Sequence, residues 1–376
     1  MKIAMIGQKG VPATYGGIER HVEEVGARLA ERGHEVRVYT RPYYAEGAGP
    51  YRGMQCVSRP TLHTKHLDTP THALLSTLDV LVRPVDLVHF HALGPSALSW
   101  LPRVRGIPTV VTLHGLDWER EKWGPLATYL LRHCEYPAIH CPNRTVAVSR
   151  TLQRYFESKY LIRTDYIPNG VNDAVLRPAS LLARWSLEPR RYFLFVGRLT
   201  PEKGAHLLTR AFGSIRTQRK LVIAGGSSFT DAYVRDLHAS APGNTVFTGY
   251  VHGEELEALW SHAYAVVLPS TMEGLSIALL EALSYGRCVL VSDIPENLEV
   301  VEKAAPSFRS RDVRDLAGAL AQLDGDADQV RRYERLVENG LRDRYRWDTV
   351  VVQLEALYRD VLAGVEAERT QAPPEA

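Results

Sequence analysis

The sequence predicts an α/β protein built from two doubly wound parallel sheets, and three observations carry that prediction. Short apolar runs alternate with helical patterns along the whole chain, the signature of βαβ units. A length of 376 residues is long for one core and suits two domains. The two halves repeat the alternation on either side of a connector at 174–191, which contains Pro178 and Pro189 and is the expected hinge. The halves are alike in pattern only, with no internal sequence repeat.

In the first half the apolar runs place strands at Lys2–Ile6, Val36–Thr40, Leu87–Phe90, Thr109–Leu113, Thr145–Val148 and Asp165–Ile167. A helix over Ile18–Arg32 sets Val22, Val25 and Leu29 on one face and stops at Gly33, a usual helix terminator. In the second half the strands fall at Tyr192–Val196, Lys220–Ala224, Thr245–Phe247, Tyr264–Leu268 and Cys288–Val291. The predicted domains are 1–175 and 190–345, followed by a last helix at 347–363. The tail 366–376 has Pro373 and Pro374 and no large apolar residue, so it is expected to be disordered.

Composition narrows the class. Apolar residues make up 45% and charged ones 23%, as in ordinary globular proteins. No apolar run approaches the roughly 20 residues that cross a bilayer, and the N-terminus lacks a signal-peptide pattern. Four cysteines (Cys56, Cys134, Cys141, Cys288) are too few for a disulfide framework, so the expected location is a reducing cytoplasm. The net charge of +2 is unevenly placed: residues 1–175 hold 21 Lys+Arg against 16 Asp+Glu. That bias fits an anionic acceptor or peripheral contact with an acidic membrane face, and equally fits an uneven distribution without function. The basic residues are scattered rather than in runs, and nucleic acid is not an expected partner.

Residues 269–286, PSTMEGLSIALLEALSYG, are the most informative stretch. Glu273 and Glu281 bracket a loop-to-helix junction whose turn residue is Gly274, followed by Leu275 and by Ser276 as the capping residue. Ile277, Leu279, Leu280 and Leu283 would face a core. The first N–H groups of such a helix are unpaired and sit at the positive end of its dipole, so they can hold an anion. Glu281, about one turn in, suits hydroxyl groups of a sugar better than phosphate. A capped surface helix with two solvated acids would look the same.

A second segment, YFLFVGRLTPEKGAH at 192–206, ends an apolar strand in Gly197 and delivers Arg198 and Lys203 into the loop beyond. Arg supplies a fork of donors and Lys a mobile charge, a combination suited to a diphosphate. Taken alone, both could be surface charges at a strand end. Cations, helix N-terminus and acids together describe a site for a nucleotide diphosphate sugar.

The loop after the first strand, Gly7–Gly17, contains Gly10, Gly16 and Gly17, which let backbone approach a ligand closely. Its spacing fails the dinucleotide fingerprint, and the second strand ends in Thr40–Arg41 without an acid for a ribose, which excludes an NAD-dependent reading. His114 ends an apolar strand and opens a polar loop, a position from which side chains reach ligands. Beyond it, Asp117, Trp118, Arg120, Lys122 and Trp123 mix cations with aromatic rings, as carbohydrate or lipid-phosphate sites do. A structural loop pinned by two tryptophans explains the same residues.

The order VGRLTPEKG (196–204) then EGLSIALLEA (273–282) resembles the second domain of retaining glycosyltransferases of the GT-B fold, in the family called GT4. GQKGVPATYGGIERH (7–21), TLHGLDWEREKWG (112–124), VAVS (146–149) and IPNGV (167–171) are similar to that family's N-terminal landmarks, in the same order. The resemblance spans the chain up to about residue 363. It implies two Rossmann-like domains facing across a cleft, with the last helix crossing back onto the first domain.

It also implies roles. The donor diphosphate would lie against Arg198, Lys203 and the amides around Gly274–Ser276, with Glu281 on the ribose, Tyr250 and Val251 near the base, and Glu273 on the sugar hydroxyls. Gly16 and Gly17 match the family's double glycine, whose amides approach donor phosphate or acceptor. Arg20 and His21 sit where acceptor-facing side chains occur, and His114 would hydrogen-bond the donor sugar near the reacting carbon. The family needs no metal in catalysis, and no cofactor beyond the nucleotide sugar is expected. Two histidine groups, His89 with His91 and His133–Cys134 with His140–Cys141, miss the usual zinc spacings. The TYGGIERH start and GLDWEREKWG loop are similar to transferases that build bacterial surface polysaccharides, including relatives acting on rhamnose. Two alternatives stay open: a nucleotide-sugar epimerase of the same fold, and a non-catalytic glycan-binding relative.

Overall fold

The alternation of strands and helices resolves into two sheets in the computed structural model, which describes residues 1–44, 49–120, 123–337 and 343–371. The chain forms two units. The first contains Met1–Glu119, Trp123–Asn169 and the C-terminal segment from Trp347; the second contains Gly170–Arg346 together with Arg120.

The first unit holds β1 (Lys2–Ile6), β2 (Glu35–Thr40), β3 (Gly49–Tyr51), β4 (Met54–Ser58), β5 (Leu87–His91), β6 (Thr109–Leu113), β7 (Arg144–Ala147) and β8 (Asp165–Tyr166). Their order across the sheet is β3-β4-β2-β1-β5-β6-β7-β8, with only the β3–β4 pair antiparallel. β5 and β6 are buried along their whole length, which is why β6 reads as an apolar run with threonines, while β5 carries His89 and His91 into the interior. The second unit holds β9 (Tyr192–Val196), β10 (Lys220–Ala224), β11 (Thr245–Gly249), β12 (Ala265–Leu268), β13 (Val289–Ser292) and β14 (Ser307–Phe308). They form an all-parallel sheet in the order β11-β10-β9-β12-β13-β14. Phe193, Phe195, Ile223, Val267 and Leu290 from its centre pack with Leu208, Phe212, Leu316 and Leu320 of the covering helices.

Three strands escape the pattern reading. β3 is the tripeptide Gly-Pro-Tyr, β4 alternates buried and exposed positions through Gln55, and β14 has two residues. The predicted helix is present as Gly17–Glu31, its buried face built on Val22, Val25 and Leu29.

Two boundaries differ from expectation. The division between units falls at Asn169/Gly170 rather than near 175. The reason is local: the Val171 amide donates to the Tyr345 carbonyl at 2.6 Å, Val171 bridges to Arg346, and Arg346 pairs with Asp173 at 2.6 Å. The 174–191 segment is not a free hinge. Its 3₁₀ helix Ala179–Trp185 buries Leu182, while Arg177 binds Glu257 at 2.6 Å and Arg184 binds Glu255 at 2.6 Å, both on the helix Gly253–His262.

The C-terminal helix is longer than expected, running Trp347–Gln371 within the first unit, so the proposed disordered tail is helical through Gln371. Residues 372–376 lie outside the described residues. Its apolar face buries Val350, Val351, Leu354 and Tyr358. Its polar anchor is Glu355, nearly fully buried, which takes Arg32 at 2.5 Å, His34 at 2.8 Å and Arg359 at 2.5 Å. Burial opposes the ionised carboxylate, but His34 and the guanidinium groups outweigh it and hold the Glu355 pKa below the usual carboxylate range. Among the described residues, no helix is long and apolar enough to cross a membrane.

Candidate functional site

In an open parallel sheet, ligands bind beyond the strand C-termini where the strand order reverses. In the second unit the chain runs β9, β10, β11 to one side and then β12, β13, β14 to the other, so the reversal lies between β9 and β12. The loops leaving those two neighbours are the segments 197–204 and 269–276. Sequence reasoning singled out these two stretches, which are some seventy residues apart in the chain, and the topology makes them neighbours.

They touch at Gly204. Its φ is +71°, and a Cβ there would stand 2.1 Å from the Pro269 carbonyl oxygen, so only glycine lets the loops meet. The Thr271 amide donates to the Glu202 carbonyl at 2.8 Å, a second stitch. Gly204→Ala is expected to destabilise the fold by about 1–3 kcal/mol from the backbone conformation alone, with the clash adding to it. Thermal denaturation against Gly243→Ala, where nothing lies within 4 Å of the added Cβ, reads this; equal melting temperatures would contradict it.

Lys203 Nζ donates to Glu273 Oε1 at 2.5 Å, and the Ser270 hydroxyl donates to the same oxygen at 2.7 Å. The predicted cation and the predicted sugar-binding acid are therefore one ion pair, half-buried on the lysine side and nearly buried on the other. Arg198 is half-buried, and its charge acts on the Glu202 carboxylate. Glu202, which the sequence reading passed over, is 3% exposed. Burial works against its charge, yet its own backbone amide and the charges of Arg120 and Arg198 keep its pKa below the usual carboxylate range. Its Oε2 is buried and unpartnered. The only sequence signal for it was its place between Arg198 and Lys203.

Ser276 caps the helix Ile277–Ser284, accepting from the Leu279 amide at 3.3 Å. Leu279, Leu280 and Leu283 are buried as expected, and Leu275 is buried too, whereas Ile277 is only half-buried. Ser276→Ala is expected to cost about 1 kcal/mol, read as a lowered denaturation midpoint; an unchanged midpoint would remove the cap from the account. Glu281 is half-buried on this helix, and Gly274 is buried at its approach. Tyr250 is fixed rather than free: its hydroxyl donates to the Gly226 and Ser227 carbonyls at 3.0 and 3.1 Å, and its ring lies where a Gly226 side chain would be. Val251 beside it is buried.

In the first unit the strand order reverses between β1 and β5. The loop 7–17 leaves β1, and a Cβ on Gly7 would stand 2.1 Å from the carbonyl oxygen of His91, the last residue of β5. Two acids from the following helix hold that loop: Glu19 accepts from the Lys9 amide at 2.9 Å and Glu23 from the Ala13 amide at 2.6 Å. Gly16 has φ +106° and is the residue before the helix, and Gly17 is its first residue.

His114, just past β6, lies with its Nε2 3.3 Å from His91 Nδ1. His21, expected to face an acceptor, is instead 1% exposed; its ring packs against those of His91 at the end of β5, His114 just past β6, and Trp347. Arg20 is more exposed and pairs with Glu24 at 3.2 Å. Of the aromatic loop, the Asp117 carboxylate accepts from the Leu93 amide at 3.1 Å, and the Trp118 indole donates to Glu135 at 2.5 Å. Glu135 is fully buried and also takes Lys159, Tyr155 and Tyr160, a structural hub that the sequence did not announce. These contacts anchor Asp117 and Trp118 within the fold. Arg120 groups with the second unit, and Lys122 lies outside the described residues.

The buried histidines make stability depend on pH. Burial lowers the pKa of His21 to about 4, the Asn169 hydrogen bond only partly opposing it, and burial with the Arg41 charge lowers His72 to about 4. An unfolded histidine titrates near 6.5. The unfolded chain therefore binds more protons between these values, and stability falls as pH drops from about 6.5 toward 4. Each group contributes about 3 kcal/mol to that loss. Urea midpoints at pH 7 and pH 5 test it; equal midpoints would contradict the neutral burial.

Comparison with known proteins agrees with this architecture. Residues 15–175 match the model of Glycosyltransferase Family 4, and residues 183–343 match that of Glycosyl transferases group 1. The chain belongs to the GT4 group of GT-B glycosyltransferases. This transferase is 28% identical to the alpha-maltose-1-phosphate synthase of Mycobacterium tuberculosis, over 96% of this chain and all of that one. It is 27% identical to that organism's GDP-mannose-dependent alpha-(1-6)-phosphatidylinositol monomannoside mannosyltransferase, over 95% of this chain and 97% of the relative. Among solved structures, the Anabaena HepE complex with UDP-glucose superposes with a TM-score of 0.79 at 18% identity, covering 96% of this chain and 100% of that one. The transferase thus has both parallel-sheet domains of its fold, each with a glycine-dependent close backbone approach at its strand reversal.

Proposed function

We propose that this transferase moves a sugar from a nucleotide diphosphate sugar to an acceptor hydroxyl with retention of anomeric configuration. One observation carries the reading: the β9 and β12 loops, locked together at Gly204, present Arg198, the Lys203–Glu273 pair and the Ser276-capped helix start at the strand reversal. The names of two relatives support a nucleotide-sugar donor, one being GDP-mannose-dependent and another solved with UDP-glucose.

In this reading Arg198, Lys203 and the amides of Gly274–Ser276 hold the diphosphate. Lys203 starts out paired with Glu273, and the incoming phosphate gives it a second anionic partner. Glu273 is then free to take sugar hydroxyls, Glu281 takes the ribose, and the backbone near Tyr250 and Val251 takes the base. His114 binds the donor sugar near its reacting carbon. The anomeric C–O bond breaks with its electron pair leaving on the diphosphate, and the carbon takes oxocarbenium character. The acceptor oxygen attacks from the same face and passes its proton to the departing phosphate. Donors fixed beforehand around that growing negative charge supply most of the acceleration. The mannosyltransferase relative, which acts on a phosphatidylinositol mannoside, favours a glycan or glycolipid acceptor in cell-surface synthesis. A glycolipid acceptor would bring the enzyme to the inner membrane face.

Glu281→Ala is expected to weaken binding of the free nucleoside diphosphate about tenfold, in line with the loss of one charged hydrogen bond. Calorimetric titration measures it, and unchanged affinity would remove the ribose role.

A further inference from the structure

We propose that His21, His91 and His114 form a binding site for a transition-metal ion, with Zn(II) the best-fitting species. Each ring offers one nitrogen such that the three lie within 4.8 Å of one another. The His91 Nδ1 to His114 Nε2 separation is 3.3 Å. Two ligands at Zn–N distances of about 2.0–2.1 Å in a tetrahedron stand about 3.3–3.4 Å apart, so this pair already has the required spacing. The widest separation in the set is within 4.8 Å, so closing it on an ion brings the nitrogens at most about 1.4 Å nearer.

The surrounding contacts favour a ligand role. His21 Nδ1 lies 3.0 Å from Asn169 Oδ1 and donates to that carbonyl, which leaves Nε2 as the bare, basic nitrogen. That Nε2 is buried without a partner; in His91 the unpartnered nitrogen is Nε2, the far one, which can carry the ring proton while Nδ1 faces the ion. A histidine oriented through one nitrogen by a carbonyl, with the other left open, has the arrangement of a metal ligand. His89 supplies the contrast: its ring is 4.1 Å from that of His91, yet both its nitrogens are spent, on Tyr358 Oη at 2.6 Å and Thr112 Oγ1 at 2.7 Å. It is therefore excluded from the set. Burial keeps His21 and His91 neutral, so no imidazolium has to be discharged; the proton between His91 Nδ1 and His114 Nε2 moves to the far nitrogen of its own ring when the ion binds. Three imidazoles select zinc, copper or cobalt over magnesium. His114 is half-buried, so it marks the side from which the ion enters and a fourth, water ligand is held.

The consequence for activity rests on the donor role proposed for His114. An ion that occupies its nitrogen withdraws it from the donor sugar, and the site acts as a reversible inhibitor.

The test uses the full chain stripped of metal and titrated with Co(II). The expected result is one cobalt per chain with the strong visible absorption of a four-coordinate, nitrogen-ligated ion. His21→Gln and His91→Gln should abolish that spectrum. Because buried substitutions can unfold the chain, Asn169→Leu provides a second arm: all three ligands remain, and affinity should fall about 10–100-fold. No cobalt spectrum in folded wild-type protein, or one unchanged in His21→Gln and Asn169→Leu, would overturn the site. Zn(II) should also inhibit donor turnover, with recovery on chelation. Stoichiometric binding with undiminished turnover would overturn the role of His114 and leave the metal site standing.

Discussion

Arg198→Ala and Lys203→Ala should each lower donor turnover by about 10²–10³-fold, the loss seen when one preorganised donor to a developing anion is removed. The reason lies in where the charge grows: the leaving diphosphate gains a full negative charge as the glycosidic bond breaks. Lys203 carries an added test. It is paired with Glu273 at 2.5 Å, so its removal also strands a nearly buried carboxylate. Lys203→Ala should therefore lower the melting temperature, and the double variant Lys203→Ala with Glu273→Gln should recover stability without recovering turnover. Arg198→Ala removes one of the two cations acting on the buried Glu202 carboxylate, so it too should lower both turnover and melting temperature, and adding Glu202→Gln should recover stability alone. Turnover within threefold of wild type in both single variants would end the diphosphate assignment.

The second large effect concerns His114. His114→Ala should reduce kcat about 100-fold, some 2.7 kcal/mol of transition-state stabilisation, while calorimetric affinity for the free nucleoside diphosphate changes little. Its group acts on the sugar, not on the nucleotide, so binding and chemistry separate. A loss confined to donor affinity would reassign it to binding.

Much of this arrangement was legible in the sequence because each element is a short apolar run closed by a polar or glycine residue. Arg198, Lys203 and Glu273 stood out through residue type at a strand end, and Ser276 through capping chemistry. Their contact could not be read: the Lys203–Glu273 pair exists because β9 and β12 are neighbours, and adjacency of strands distant in the chain is a property of topology. Gly204 was visible as a glycine but not as the point where two loops meet.

The misreadings share one cause, burial that local pattern does not encode. His21 matched an acceptor-facing position on the first turn of its helix, yet its ring is buried against those of His91, His114 and Trp347. Glu135 and Glu202 drew no reading from the sequence and prove almost wholly buried, one held by Trp118, Lys159 and tyrosines, the other by its amide and nearby cations. The 174–191 segment looked like a linker because of its prolines, but the Arg177 and Arg184 ion pairs attach it to the second unit. The tail carried a disorder signature only in its last residues, and the helix before it continues to Gln371.

The central claim is that the second unit grips a nucleoside diphosphate through Arg198 and Lys203. Thermal denaturation of wild type and of the Arg198→Ala variant, across a panel of uridine, guanosine, thymidine and adenosine diphosphates, tests it most directly. A matched ligand at 100 times its dissociation constant should stabilise the wild type by about 2.7 kcal/mol, and the variant far less at the same concentration. Stabilisation of both proteins to the same extent, or of neither by any member of the panel, would contradict it.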